Sequence, residues 1–391
     1  VSPKRGQASR ETFAVTARDP NTAARTGRLI TPHGEVRTPV FMPVGTQGTV
    51  KGLTPEELRQ IGIEILLGNV YHLSLRPGQD ALEAAGGLHC FMAWDRPILT
   101  DSGGYQVFSL ADLRRVDDEG VTFSSPVDGG RIHRLTPESV MEFQERIGVD
   151  VRIPLDECPP LPADRSRLEA AVRRTTDWAG RSRKRFLEGR GEGVPPPLLF
   201  GIVQGGLDLE LRRQAFEQLA PMGFDGYCLG GFAVGEPREA MMEILPETAA
   251  LLPEDRPRYL MGVGEPLDLI EGVMAGIDLF DCVVPTRHAR NGTAYTWAGR
   301  LNLRNARFAQ ERGPIDPDCR CEVCNTYSRM YLRHLFEARE MLGPRLLSYH
   351  NLWFYSTLMA EIRRAVSAGR LEALRKRLAP VYDKRLEQIA E

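Results

Sequence analysis

Asp101 and Asp281 each sit at the end of a short apolar, β-branched run, and the two runs lie far apart in the chain, at 98–102 and 276–284. If the fold brings both carboxylates to one pocket, one can attack a sugar anomeric carbon while the other transfers protons, as retaining glycosyl chemistry requires. Asp156 ends a third such run. Its neighbour Glu157 points the opposite way if the strand continues that far. An aspartate at a strand end is also a common turn former or helix N-cap, but three at equivalent positions make that reading poorer.

Near these acids, Gln204 offers both an amide donor and a carbonyl acceptor. With Asp156 as acceptor it suits the amide-like edge of a guanine. Ser102, Gly103 and Gly104 let backbone approach a ligand, and Gly230 and Gly231 can present bare N–H and C=O groups; tight strand-end turns are the ordinary alternative for these glycines. Tyr105 is either a stacking face for a planar base or a core aromatic.

A second chemistry is written in Cys319, Cys321 and Cys324. Their C-x-C-x2-C spacing can bring three thiolates to one tetrahedral zinc ion, with a role that is structural. His334 and His350 are both candidates for the fourth ligand. The remaining reading is three buried cysteines that happen to be neighbours.

The elements that must position these groups follow a βαβ rhythm. Candidate strands fall at 39–45, 64–69, 98–102, 150–156, 198–204, 226–231, 258–262 and 276–284, and Thr54-Pro55, Thr136-Pro137 and Glu265-Pro266 mark helix starts between them. Helix-compatible spacing covers 163–188, 207–220 and 237–252, whereas 107–135 reads as a hairpin insertion and 189–197 as a loop. Polar or glycine residues gather at the carboxyl ends of the runs. That favours an α/β fold, a (β/α)8 TIM barrel whose mouth collects the acids, over an open doubly wound sheet. Past Pro285 come Arg-rich strands and turns, then the cysteines, then a helical region from 326 to 391. The expected organisation is a catalytic barrel over 1–285, a zinc-binding subdomain over 286–360, and a C-terminal helix over 361–391 that packs back on the barrel.

The 391 residues are 42% hydrophobic and 26% charged, ordinary for a globular protein with a sizeable core. No apolar run reaches the length of a membrane span or a signal h-region, and the cysteine pattern suits a reducing, cytoplasmic setting. A net charge of −2 argues against a protein that coats nucleic acid non-specifically. Six arginines between 285 and 312 against the single acid Glu311 nonetheless make a candidate phosphate surface, with a solvated arginine face as the alternative.

Taken together, Asp101-Ser102-Gly103-Gly104-Tyr105-Gln106, Asp156-Glu157-Cys158, Gly201-Ile202-Val203-Gln204-Gly205, Gly230-Gly231-Phe232-Ala233-Val234-Gly235-Glu236, Tyr259-Leu260-Met261-Gly262 and Phe280-Asp281-Cys282 resemble the tRNA-guanine transglycosylases, in the family's order and over nearly the whole chain. The resemblance implies that Asp281 is a nucleophile forming a covalent bond to the wobble ribose while Asp101 handles protons. It implies that Asp156, Gln204 and the Gly231 backbone recognise the base between Tyr105 and Met261, and that Glu236 steadies the peptide near Gly231 and Phe232. By the same resemblance, Gly262, Val263, Gly264, Glu265, Pro266, Leu267 and Asp268 form an RNA-contacting loop. Thr286, Arg287, His288, Ala289 and Arg290 then read the bases flanking the wobble guanine in the anticodon stem-loop. Cys319, Cys321, Cys324 and His350 match the zinc ligands, one Zn2+ per subunit, and a homodimer is implied.

Cys158 and Val234 resemble the bacterial form, whose pocket fits 7-aminomethyl-7-deazaguanine and whose acceptors are tRNA-Asn, -Asp, -His and -Tyr. Phe232 departs from the Leu expected there, which bears on pocket shape. Three alternatives stand beside this reading. A binding paralogue need not keep both aspartates, and a retaining glycoside hydrolase leaves the arginines and cysteines unexplained. An archaeal-type enzyme usually carries a further RNA-binding region.

Overall fold

The computed structural model describes residues 12–104, 107, 114–125, 128–189 and 195–383. Eight parallel strands form its centre: Val40–Pro43, Leu66–Asn69, Ile98–Asp101, Val151–Arg152, Leu198–Val203, Gly226–Leu229, Arg258–Leu260 and Leu279–Cys282. Each pairs with its sequence neighbour, the eighth pairs with the first, and a Val44–Leu67 bridge links the first to the second. The sheet therefore closes into the expected barrel, and every one of the eight runs supplies a strand. Side chains such as Met42, Leu67, Leu99, Phe200, Ile202 and Leu279 alternate inward and fill it as one buried cluster.

The helix starts follow from capping chemistry. Thr54 and Glu57 form a reciprocal capping box ahead of Pro55–Ile61, and Thr136 and Ser139 do the same ahead of Pro137–Arg146. Helices Arg165–Glu188, Leu209–Leu219, Arg238–Ala250 and Pro266–Met274 complete most of the outer ring. No helix among the described residues is long and apolar enough to cross a membrane.

Three features depart from the sequence expectation. The 107–135 insertion is more than a hairpin: strands Arg114–Asp117, Gly120–Ser124 and Ile132–Leu135 make a three-stranded antiparallel sheet. After the eighth strand the chain does not turn into strands at once, because Pro285 opens a helix, Val284–Arg290, before the hairpin Thr293–Thr296 and Gly299–Asn302. Helix Leu342–Ser367 runs unbroken through position 360, so a boundary drawn there falls inside an element. That helix packs on Val284–Arg290 and on the first barrel strand, while Leu371–Tyr382 packs on Pro266–Met274.

An N-terminal antiparallel sheet, Phe13–Arg18, Arg25–Thr31 and Gly34–Thr38, was not anticipated. Its Phe13, Leu29 and Val36 plug the barrel at the end opposite the strand C-termini. A bidentate ion pair between Arg25 and Asp278, both essentially inaccessible to solvent, fastens the plug. A second clip joins His33 to Asp150 at 2.9 Å, with the His89 ring stacked on His33 at 3.6 Å.

The hydrogen bond that His33 donates to the Asp150 carboxylate raises the His33 pKa. Burial alone would raise Asp150, but hydrogen bonds from His33, His89 and the Ile98 N–H outweigh it and hold the carboxyl at about 2. The His33 contribution is present below its unfolded pKa of about 6.5 and is lost as pH rises through the folded value; that of Asp150 is lost only as pH falls toward 2. His33→Ala is therefore expected to cost no more than ~1 kcal/mol of stability near pH 5, because the ring is partly solvated, lowering Tm there and leaving it almost unchanged near pH 9. Thermal melts across that range check this; an equal Tm loss at both ends would contradict it.

Candidate active site

The strand C-termini surround a cavity of about 520 Å³. Asp101, Asp156, Gln204, Gly230, Gly231 and Asp281 all line it, with Cys158, Phe232, Val234, Tyr259, Met261 and Gly262. Thr286, Arg287 and Arg290 stand at its rim on the post-barrel helix. Tyr105 lies outside the described residues.

Each acid is held differently. Asp281 accepts two hydrogen bonds on Oδ1, from the Tyr259 hydroxyl at 2.6 Å and the Gly262 N–H at 2.8 Å, which leaves Oδ2 as the oxygen available for attack. Asp101 accepts from Asn69 Nδ2 at 2.7 Å and from the Gly103 N–H at 3.2 Å. Asp156 accepts from Gln204 Nε2 at 2.8 Å, with Ser102 Oγ at 3.4 Å. Burial raises the pKa of all three. For Asp101 the neighbouring Asp281 charge adds to it and carries the value to about 7, whereas Asp156 reaches about 6.

Buried thiols behave otherwise. Burial pushes Cys158 and Cys282 up to about 12, so they remain protonated and are poor nucleophiles. The fourth strand ends at Arg152, so the alternation expected to reach Glu157 does not apply there; Glu157 is held away from the cavity by ion pairs with Arg167 and Arg174.

The glycines are close-approach positions. A Cβ on Gly104 would stand 2.6 Å from Asp156 Oδ1, and one on Gly230 2.6 Å from Gln204 Nε2. Gly103 and Gly231 have φ of +77° and +69°, where a side chain is strained. Glu236 accepts from the Ala233 and Val234 N–H groups at 2.5 and 2.9 Å. It therefore grips the loop beyond Phe232, not the Gly231–Phe232 peptide itself.

Much of the expected RNA-contacting loop is inside the protein. Val263, Gly264, Pro266, Leu267 and Asp268 are buried, because a helix begins at Pro266 and Asp268 pairs with Arg238; Gly262 alone is exposed. Glu265 is engaged by Arg300 and Tyr295. In the 286–290 segment Thr286 and Ala289 are buried and His288 bonds the Tyr295 hydroxyl at 2.6 Å, which leaves Arg287 and Arg290 as the groups free to meet a ligand at the rim. Reasoning from sequence missed Asn69, the donor to Asp101, although its polar side chain also ends a barrel strand. It also missed the cavity-lining residues Val44, Thr46, Lys51 and His72.

Cys319, Cys321, Cys324 and His350 gather away from the cavity. The three sulfurs lie 3.8, 3.5 and 3.3 Å from His350 Nδ1. Those are close to the ~3.6 Å S···N edge of a tetrahedron with zinc bond lengths. His350 Nε2 donates to the Tyr295 carbonyl at 2.9 Å, so Nδ1 presents its lone pair to the thiols. The buried set thus fits a metal ion, and His334 lies elsewhere, beside Met330, Tyr331 and Glu337. A further group, His33, His89 and Asp150, has ligand atoms close together, with His33 Nδ1 and His89 Nε2 lying 2.9 and 3.1 Å from the two Asp150 carboxylate oxygens.

A family model described as queuine tRNA-ribosyltransferase matches residues 19–384. The chain belongs to that family. Queuine tRNA-ribosyltransferases of Solidesulfovibrio magneticus and Pelotomaculum thermopropionicum are each 54% identical to it, over 92% of this chain and 95% of theirs. The one from Caldanaerobacter subterraneus is 51% identical, over 95% of this chain and 97% of its own. As a family member the chain is a tRNA-guanine transglycosylase enzyme.

Proposed function

We propose that this enzyme exchanges the wobble guanine of tRNA-Asn, -Asp, -His and -Tyr for 7-aminomethyl-7-deazaguanine, the base-insertion step of queuosine biosynthesis, by double displacement. The observation that carries this is the convergence of two unequal acids, Asp101 and Asp281, with the Asp156–Gln204 pair in one cavity.

Asp281 Oδ2 attacks the ribose anomeric carbon; the glycosidic bond breaks with its electron pair on guanine, and Asp101 supplies the proton that neutralises the departing base. In the second displacement Asp101 takes the N–H proton of the incoming 7-deazaguanine, whose nitrogen attacks the same carbon and releases the Asp281 carboxylate. Two inversions keep the sugar configuration. Asp156, Gln204 and the Gly231 backbone bind the amide-like edge of the base, with Tyr105 and Met261 on its faces. Cys158 and Val234 shape the pocket for a small 7-substituent, and Arg287 and Arg290 meet the anticodon loop.

The metal we assign to the Cys3His cluster is one structural Zn2+, which supplies no chemistry to the exchange. Phe91, Tyr331 and Met330 are large exposed apolar side chains that suit a homodimer, and a cytoplasmic enzyme with reduced thiols is the setting.

Two measurements test this reading. tRNA-Tyr carrying radiolabelled guanine at the wobble position releases its label when incubated with the protein and 7-aminomethyl-7-deazaguanine; label retained by the folded, metal-replete protein would favour a binding module instead. Because Asp101 must be protonated for the first displacement and its value is about 7, single-turnover guanine release is expected to fall roughly tenfold per pH unit on the alkaline side. A flat profile from about pH 6 to 9 would remove Asp101 from that role.

A further inference from the structure

Arg212 belongs to helix Leu209–Leu219, and its side chain is fully buried. A buried cation ordinarily faces a carboxylate. Among the described residues, this guanidinium donates instead to backbone carbonyls: Nε to Gly206 at 2.8 Å, Nη1 to Val203 at 3.3 Å and Nη2 to Gly230 at 3.1 Å. These oxygens flank Gln204, just beyond the fifth strand, and Gly231, beyond the sixth. The Val203 carbonyl also accepts the Gly230 N–H at 3.1 Å, so one cation spans two adjoining strand ends.

Phe232 covers the free face of the guanidinium, whose central carbon lies 3.7 Å from the ring centroid. That contact gives a reason for the phenylalanine, since a leucine has no ring face to offer a cation. Gly205 leaves room for the stem: a Cβ there would stand 2.7 Å from Arg212 Cγ. From the far side Glu236 grips the Ala233 and Val234 N–H groups. Between the two grips runs a loop that contains Ala233 at φ +55°, a conformation a non-glycine residue keeps only when held.

We propose that Arg212 is a positioning residue for base recognition: by drawing the Val203, Gly206 and Gly230 carbonyls together beneath Phe232, it sets the spacing between the Gln204 amide and the Gly231 backbone. The inference rests on reading Asp156, Gln204 and Gly231 as the base-recognising groups. A planar fork with fixed donors is needed to reach three carbonyls at once, and an ammonium group reproduces it only in part.

The test compares KM for 7-aminomethyl-7-deazaguanine, kcat and tRNA Kd in the full-length enzyme and in Arg212→Met, Arg212→Lys, Phe232→Leu and Asp156→Ala. Arg212→Met is expected to raise the base KM on the order of 10- to 100-fold, as a displaced pocket wall does. Arg212→Lys should fall between it and wild type. Phe232→Leu should raise KM about two- to fivefold through loss of the stacked ring. The two Arg212 variants should keep tRNA Kd within about twofold, because Arg212 sits behind the base pocket and not on the rim. Folded Arg212→Met with unchanged base KM, alongside a raised KM in Asp156→Ala, overturns the clamp alone. Unchanged KM in Asp156→Ala overturns the base-site reading and the clamp with it. If Arg212→Met fails to fold, Phe232→Leu and Arg212→Lys decide, and wild-type KM in both overturns the proposal.

Discussion

Asp281→Asn is expected to abolish base exchange, to about 10⁻⁴ of wild type or less, because an amide is no substitute for the attacking carboxylate. The variant keeps an oxygen that can accept from Tyr259 and Gly262, the two donors that fix the native carboxylate, so the cavity should keep its shape. Its tRNA Kd should therefore stay within about threefold of wild type, since the rim arginines are untouched. Release of labelled guanine and a filter-binding titration separate the two quantities. Residual exchange above about a tenth of wild type would mean that Asp281 is not the nucleophile.

Cys321→Ser is expected to have the largest effect on the part of the chain that follows the barrel. Structural zinc sites contribute roughly 10–16 kcal/mol of apparent binding free energy, which is folding free energy for the segment they close. Here His350 is tied to the Tyr295 carbonyl, and its neighbour Asn351 donates to the Pro285 and Thr293 carbonyls, so a metal held by the Cys3His set would brace the helix that carries Arg287 and Arg290. Bound zinc measured by mass spectrometry should fall from one per chain to near none, Tm should drop, and tRNA Kd should rise about tenfold or more. Affinity for the free base should change far less, because the barrel is closed by its own strands. A metal-free variant with wild-type Tm would contradict the structural role.

The sequence is most legible where burial leaves a periodic mark. All eight barrel strands are short apolar runs with polar or glycine ends, and that pattern brought Asp101, Asp156 and Asp281 to one mouth. The N-terminal sheet leaves little trace, because its buried positions mix Phe13, Leu29 and Val36 with the polar Arg25, Thr26, Thr31 and Thr38, so no apolar alternation marks it. Arg212 is illegible for a related reason: on a helix such as LELRRQAFEQL an arginine reads as solvated face, and only the packing turns it inward. Val263 and Leu267 show the converse, as apolar residues at a helix start that belong to the core instead of a nucleic-acid surface. Spacing alone could not choose between His334 and His350, since His334 lies on helix Arg329–Glu337 and His350 on Leu342–Ser367, and only the packing of these helices decides which ring meets the cysteines.

The covalent step is the centre of this account, and peptide mapping reads it directly. Enzyme mixed with tRNA-Tyr in the absence of an incoming base, then denatured and digested with protease and nuclease, should yield one peptide carrying the ribose of the wobble position. That ribose is expected on Asp281. A linkage on Asp101 or Asp156, or no linked peptide under conditions where guanine is released, would contradict it.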